Sequence, residues 1–273
     1  MQEKRKKIFL GNQYNKICRF CGKKEPETTF KNNKSHTFPE FTGNKTLFSN
    51  YECKECNSFF GRTIEKAASD FFLQERAMYG IAGKGGNKQF KTADGLLSHF
   101  NNMVNDTPCP ITVLHSKDAE KYITEDSSKG LTISTPRRPH IPVAVYKCFV
   151  KMAISVMPEN ELFDFADTIS WLLEREHRNF YDDGRKLWLK VIYIPNAKKT
   201  NSPSYRLHKL TCTQNNENYV LFYIIWGGMC CGIEVPASKN LNYFDISELT
   251  NIDELKGYSI KNLDLSSNIK TDE

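Results

Sequence analysis

Two Cys-x-x-Cys pairs, Cys18/Cys21 and Cys53/Cys56, constrain this chain more than any other feature. Four thiolates at that spacing suit a tetrahedral zinc ion with no open coordination position, and closed zinc sites are structural. The cysteines number 9, an odd count, and the basic start MQEKRKKIFLGNQ is not followed by an apolar leader. A zinc site in a reducing cytoplasm is therefore expected, rather than a disulfide framework in a secreted chain. The remaining cysteines (Cys109, Cys148, Cys212, Cys230, Cys231) are expected to be small buried apolar residues. An ion shared by both pairs must close a loop, so whatever lies between them folds back on itself.

That loop is long. A short zinc ribbon separates its pairs by about 15–20 residues, whereas here 31 residues stand between Cys21 and Cys53. The loop contains SHTFPEFTGNKTLFSN, and the second pair runs directly into CNSFFG. In order, these are a zinc knuckle, His-x-x-Pro, a loop with Gly and Asn, a second knuckle and Cys-Asn at a helix start. Over about residues 17–66 this arrangement resembles the HNH endonucleases, the zinc-clipped branch of the ββα-metal nucleases, among them bacterial standalone and defence-associated proteins.

The resemblance implies a role for each matching residue. His36 stands where the family has a general base that takes a proton from water attacking a phosphodiester, work suited to a side chain that titrates near neutrality. Asn50 stands where a loop Asn steadies that His or its strand. Asn57, at the helix start, stands where the family holds one divalent cation, Mg²⁺ or Mn²⁺, separate from the structural Zn²⁺. Two positions depart from the pattern. Ser35 precedes the His where an acidic or imidazole ligand is usual, and Gly61 occupies the place of a second helix ligand. Glu65, two turns after Asn57, and Glu40, in the loop, are the acids that would make up the set.

Charge points to the same end of the chain. Residues 1–66 carry 14 Lys and Arg against 7 Asp and Glu, while the rest carries 24 against 25. A phosphate-bearing partner is drawn to the N-terminal part first, and Lys45 and Arg62 are candidate phosphate contacts. DNA is the expected partner, with RNA open. No apolar run approaches the ~18 residues of a membrane span. Cutting a duplex with one site per chain implies a homodimer.

The reading is α+β. Residues 1–80 form a small zinc-stabilised ββα-metal module with a trailing helix from about Asn57. Residues 81–273 form a larger α+β domain for recognition, sensing or assembly. Within it, GLTIST and CPITVLH suggest short strands. VAVYKCFVKMAISVM suggests a buried helix ended by Pro158, and ENELFDFADTISWLLEREH a second helix. Four runs rich in β-branched and aromatic residues (KLWLKVIYI, SYRLHKLTCT, YVLFYIIW, MCCGIEVPA) suggest adjacent antiparallel strands. The tail from about Asn240 is weakly patterned. Two rival readings stand beside a DNA-cutting enzyme: a zinc module that binds nucleic acid without cutting, and a regulatory protein with a degenerate nuclease domain.

Overall fold

A computed structural model describes residues 6–31, 34–83, 86–87, 89–91, 97–99, 112–114, 119–126, 130–194, 202–211, 218–237, 243–249 and 258–272. Cys109 and Cys212 lie outside the described residues, as do His115, most of CPITVLH and all but the last residue of NNEN. The content is mixed helix and strand, as the sequence suggests.

The N-terminal part opens with strand β1 (Ile8–Leu10) in what reads as a polar lead-in. β1 pairs in parallel with β2 (Leu47–Ser49), with Phe9 opposite Phe48. The segment around His36 adds an antiparallel bridge to Phe48. The second knuckle starts α1 (Lys54–Arg62), three residues earlier than expected. The expected trailing helix is three pieces: α1, α2 (Ile64–Phe71) and α3 (Leu73–Met78). The first break falls at Thr63, whose backbone leaves the helical region (φ −112°, ψ −92°) and whose hydroxyl donates to the Phe59 carbonyl. A β-branched residue bonding back to the preceding turn competes with helix continuation.

Short strands at Ala82–Gly83, Gly86–Asn87, Gln89–Lys91, Leu97–His99, Thr112–Leu114, Ile123–Asp126 and Gly130–Ile133 lead to α4 (Pro142–Val156). Pro142 takes the first helical position, where its missing N–H costs nothing. Nearly every residue of α4 is buried, including Lys147 and Lys151. The stretch after Pro158 is mostly a 3₁₀ turn (Glu159–Phe165), and regular helix resumes only over α5 (Ala166–Leu172).

The body sheet has five strands: β3 (Trp188–Tyr193), β4 (Ser204–Thr211), β5 (Asn218–Trp226), β6 (Met229–Glu234) and β7 (Ser259–Asp264). All neighbours are antiparallel, in the order β4-β5-β6-β3-β7. The four expected strands are adjacent, and the tail supplies the fifth. The sequence hides β7 because its side chains are mostly exposed, so it lacks a long apolar run. The tight β5–β6 turn uses Gly227 at φ +57° and Gly228, where an added Cβ would lie 2.3 Å from the Tyr79 ring.

α4 packs against α2 on one side and against β5 and β6 on another. Aromatic rings cross between the N-terminal part and the body. Phe72 meets both Phe149 and Trp226 edge to face, Phe41 meets Trp226, and Phe38 meets Tyr205. One buried cluster runs from Cys18 to Leu265, so the parts on either side of residue 80 meet across a shared core. Among the described residues no helix is long and apolar enough to cross a membrane.

Candidate active site

The metal centre is assembled by two turns. Gly22, at φ +69°, closes the first knuckle as its N–H donates to the Cys18 carbonyl, and the Cys18 N–H donates to the Lys23 carbonyl. Cys53 is the N-cap of α1, and its sulfur accepts from the Cys56 N–H at 3.5 Å. The Cys53 N–H in turn points at the Cys18 sulfur. The four sulfur atoms lie within 4.8 Å of one another. All four side chains are buried or nearly so. Four soft sulfurs converging around one point, with backbone N–H groups directed at two of them, fit a structural metal ion such as zinc.

The knuckle is also tied to the body. The Arg19 guanidinium stacks 3.9 Å from the centre of the Tyr51 ring and donates to the carbonyls of Ile154 and Met157, at 2.6 and 2.8 Å. Those carbonyls end α4, so a cation caps a helix C-terminus.

Between the knuckles the loop turns back through a 3₁₀ turn (Glu40–Thr42) and Gly43 at φ +87°. The next residue, Asn44, organises it. Its amide donates to the carbonyls of Phe38 and Leu47, and its oxygen accepts from the N–H groups of Thr46 and Leu47. Asn44 is 1% exposed. It went unnoticed in the sequence, although its place directly after Gly43 was the available signal.

His36 lies on the segment that enters the turn, bridged to Phe48 of β2, with its ring 4.6 Å from that of Phe48. Nε2 sits 3.2 Å from a Glu40 carboxylate oxygen, and both side chains are partly exposed. Nδ1 is buried. Any proton exchanged with solvent therefore passes through Nε2, on the Glu40 side. Behind the ring, Lys151 of α4 reaches in from the body. Its Nζ lies 2.9 Å from Glu52, 3.1 Å from Glu65 and 3.3 Å from the His36 carbonyl. Burial alone would lower the Lys151 ammonium, but Glu52 and Glu65 more than offset it and hold it above its ordinary value. Burial pushes the Glu52 carboxyl up, to about 7, with Lys151 opposing. Lys151 and Glu52 were absent from the sequence reading. A lysine in an otherwise apolar helix was the visible sign that a charged partner must exist.

The other expected site residues fall as follows. Ser35 is fully buried, its carbonyl accepts from the Ser49 N–H, and its hydroxyl donates to the Glu52 carbonyl. Asn50 is buried, and its amide donates to the Gly11 carbonyl, joining β1 to the second knuckle. Asn57 is half-buried in the first turn of α1, and its N–H donates to the Cys53 carbonyl. Glu65 is engaged by Lys151. Lys45 and Arg62 are exposed. A cleft of about 320 Å³ beside the first knuckle adds Lys16, Lys24 and Lys31 to this basic surface.

The structure fits a metal at the cysteines. Of the expected second set, the Ser35 hydroxyl donates to a backbone carbonyl and Glu65 pairs with Lys151. Among the described residues the four cysteines are the group of three or more His, Cys, Asp or Glu side chains close enough to share an ion.

Residues 18–73 match the model of the HNH endonuclease family. The matched segment is about a fifth of the chain, runs from the first cysteine knuckle to the start of α3, and overlaps the resemblance read from the motif order. No curated protein and no solved structure matches the chain.

Proposed function

We propose that this protein is a metal-dependent nuclease that hydrolyses DNA phosphodiester bonds with His36. The observation that carries the reading is the placement of one partly exposed imidazole, beside Glu40, on the loop between two knuckles, inside the segment that matches HNH endonucleases.

His36 accepts a proton from the attacking water at Nε2, and Glu40, 3.2 Å from that nitrogen, stabilises the imidazolium that forms. The backbone at His36 is held from behind by Lys151 on the His36 carbonyl, which anchors the segment that carries the ring. Lys45, Arg62 and the lysines of the knuckle cleft hold the phosphate backbone. A divalent cation, Mg²⁺ or Mn²⁺, supplies charge neutralisation at the phosphate when bound. Glu40 and Asn57 are the oxygen donors that would hold it.

A second reading has a specific observation in its favour. Ser35 and Glu65 are committed elsewhere, which suits a zinc module that binds nucleic acid and leaves it intact. Incubation of supercoiled plasmid with a panel of divalent metals separates the two. The nuclease reading expects nicked or linear product from the parent and at least 100-fold less from His36→Ala, with equal zinc content in both proteins. Equal salt-sensitive binding by both proteins, without product from either, would establish the second reading instead.

A further inference from the structure

One aromatic residue beside the proposed hydrolytic group is left open to solvent. β1 and the His36 segment both pair with Phe48, so Phe9, Phe48 and His36 form one row across the sheet. Directly paired residues share a face, and the rings bear this out. Phe9 stacks on Phe48 at 5.2 Å and 23°, and Phe48 lies 4.6 Å from His36. Phe48 is 4% exposed because its neighbours cover it, whereas Phe9 is 50% exposed. Lys7, two residues before Phe9 and so on the same face, places its ammonium 5.6 Å from the centre of the Phe48 ring.

Packing explains Phe48 and leaves Phe9 unexplained. A phenylalanine needed only to cover Phe48 would itself be covered, and a large apolar side chain on an exposed short strand is an association hazard. Here it comes with cations: Lys6 and Lys7 are exposed, and the first 66 residues carry twice as many basic as acidic groups. An open aromatic face beside a flexible ammonium is the pair of features that holds one nucleotide of a single strand, the ring taking the base and the cation the phosphate.

We propose that Phe9 and Lys7 form a nucleotide-binding subsite in which an unpaired base stacks on the open face of Phe9. This rests on the reading of His36 as the hydrolytic residue. Phe9 lies two strand spacings from His36, about 10 Å, so a strand whose base stacks on the outer face of Phe9 brings a phosphodiester a nucleotide or two further along within reach of the imidazole. A base inside a duplex has both faces covered and cannot take this position. The preferred substrate is therefore DNA that is single-stranded or locally opened.

The test is equilibrium binding without added divalent metal, read by fluorescence anisotropy. The probe is an oligodeoxynucleotide offered as a single strand and as its blunt duplex. Phe9→Leu keeps an apolar cover on Phe48 and removes the ring. It is expected to weaken single-strand binding about 5- to 100-fold and duplex binding less than twofold. Phe9→Trp is expected to bind the single strand at least as tightly as the parent, which separates loss of stacking from loss of fold. Lys7→Ala is expected to lower the salt dependence of binding by about one phosphate. Single-strand binding by Phe9→Leu equal to the parent, equal losses for both probes, or no single-strand binding by the parent would each overturn the proposal. Because no cleavage is read, this result is independent of the plasmid assay. Stacking without cleavage would retain the subsite and remove the nuclease, and cleavage without dependence on Phe9 would do the reverse.

Discussion

Lys147 and Lys151 sit one turn apart on α4, and each reaches into a different region of the molecule. Lys147 turns to the body, where its ammonium meets the carbonyls of Trp171 and Glu174 at the end of α5. Lys151 turns to the N-terminal segment, where it meets two carboxylates and the His36 carbonyl. Burial lowers Lys147 to about 8, whereas the carboxylates hold Lys151 above its usual value. The body satisfies a buried cation with neutral dipoles, and the N-terminal segment satisfies one with full charges. That segment therefore depends on the body for more than apolar cover. Without α4, Glu52 would be a buried carboxylate with no cation beside it, which is costly.

The comparison can be broken in several ways. The largest effect expected is at the metal. Stripping the ion with a chelator, or Cys53→Ser, should unfold the N-terminal segment while much of the sheet signal persists, because the ion closes the loop that carries His36. Circular dichroism with parallel proteolysis reads this. Global collapse of both regions would mean that the shared core couples them more tightly than the ion separates them.

Next comes the lysine pair itself. Lys151→Met should cost about 3–5 kcal/mol, since it leaves Glu52 uncompensated. Lys147→Met should cost about 1–3 kcal/mol, since it leaves only carbonyls unpaired. Urea titration measures both. Adding Glu52→Gln to Lys151→Met should recover part of the loss, and equal costs for the two single variants would erase the distinction.

A further effect, read as a slope with pH, lies wholly in the body. Burial raises the Glu234 carboxyl to about 8, with the Phe244 N–H and Arg185 opposing and Asp245 adding to the rise. Its folded value lies above its unfolded value. The folded state therefore holds a proton that the unfolded chain releases, and stability falls as pH rises from about 4.5 to about 8. Glu234→Gln should gain on the parent across that window, by at most about 1.4 kcal/mol per pH unit. Melting temperatures at several pH values would show it. A constant difference between parent and variant would mean that Glu234 is not held neutral.

Some of this architecture could be read before any coordinates. Cysteine spacing and the order of His, Pro, Gly and Asn are local signals, and they led to the metal centre, to the hairpin bearing His36 and to α1. The strands β3, β5 and β6 were visible because burial demands continuous β-branched and aromatic runs, and β4, an exposed edge strand, because hairpin pairing ties it to β5. β7 was not, because its side chains are mostly exposed and no hairpin ties it to a visible strand. The break at Thr63 depends on one hydroxyl, below the resolution of helical periodicity. Lys151 was beyond reach for a different reason. Its partners Glu52 and Glu65 are 99 and 86 positions away in the chain, and a contact across that separation leaves no spacing to recognise. The same holds for Arg19 at the end of α4.

The claim on which the account rests is that the imidazole of residue 36 moves the proton in phosphodiester cleavage. Chemical rescue measures this most directly: cleavage of DNA by His36→Gly, with and without free imidazole, at constant zinc content. The account predicts a loss of at least 100-fold that added imidazole partly restores, with a pH dependence following the added base. Cleavage by His36→Gly at the parent's rate, or a loss that imidazole leaves untouched while DNA binding is intact, would contradict it.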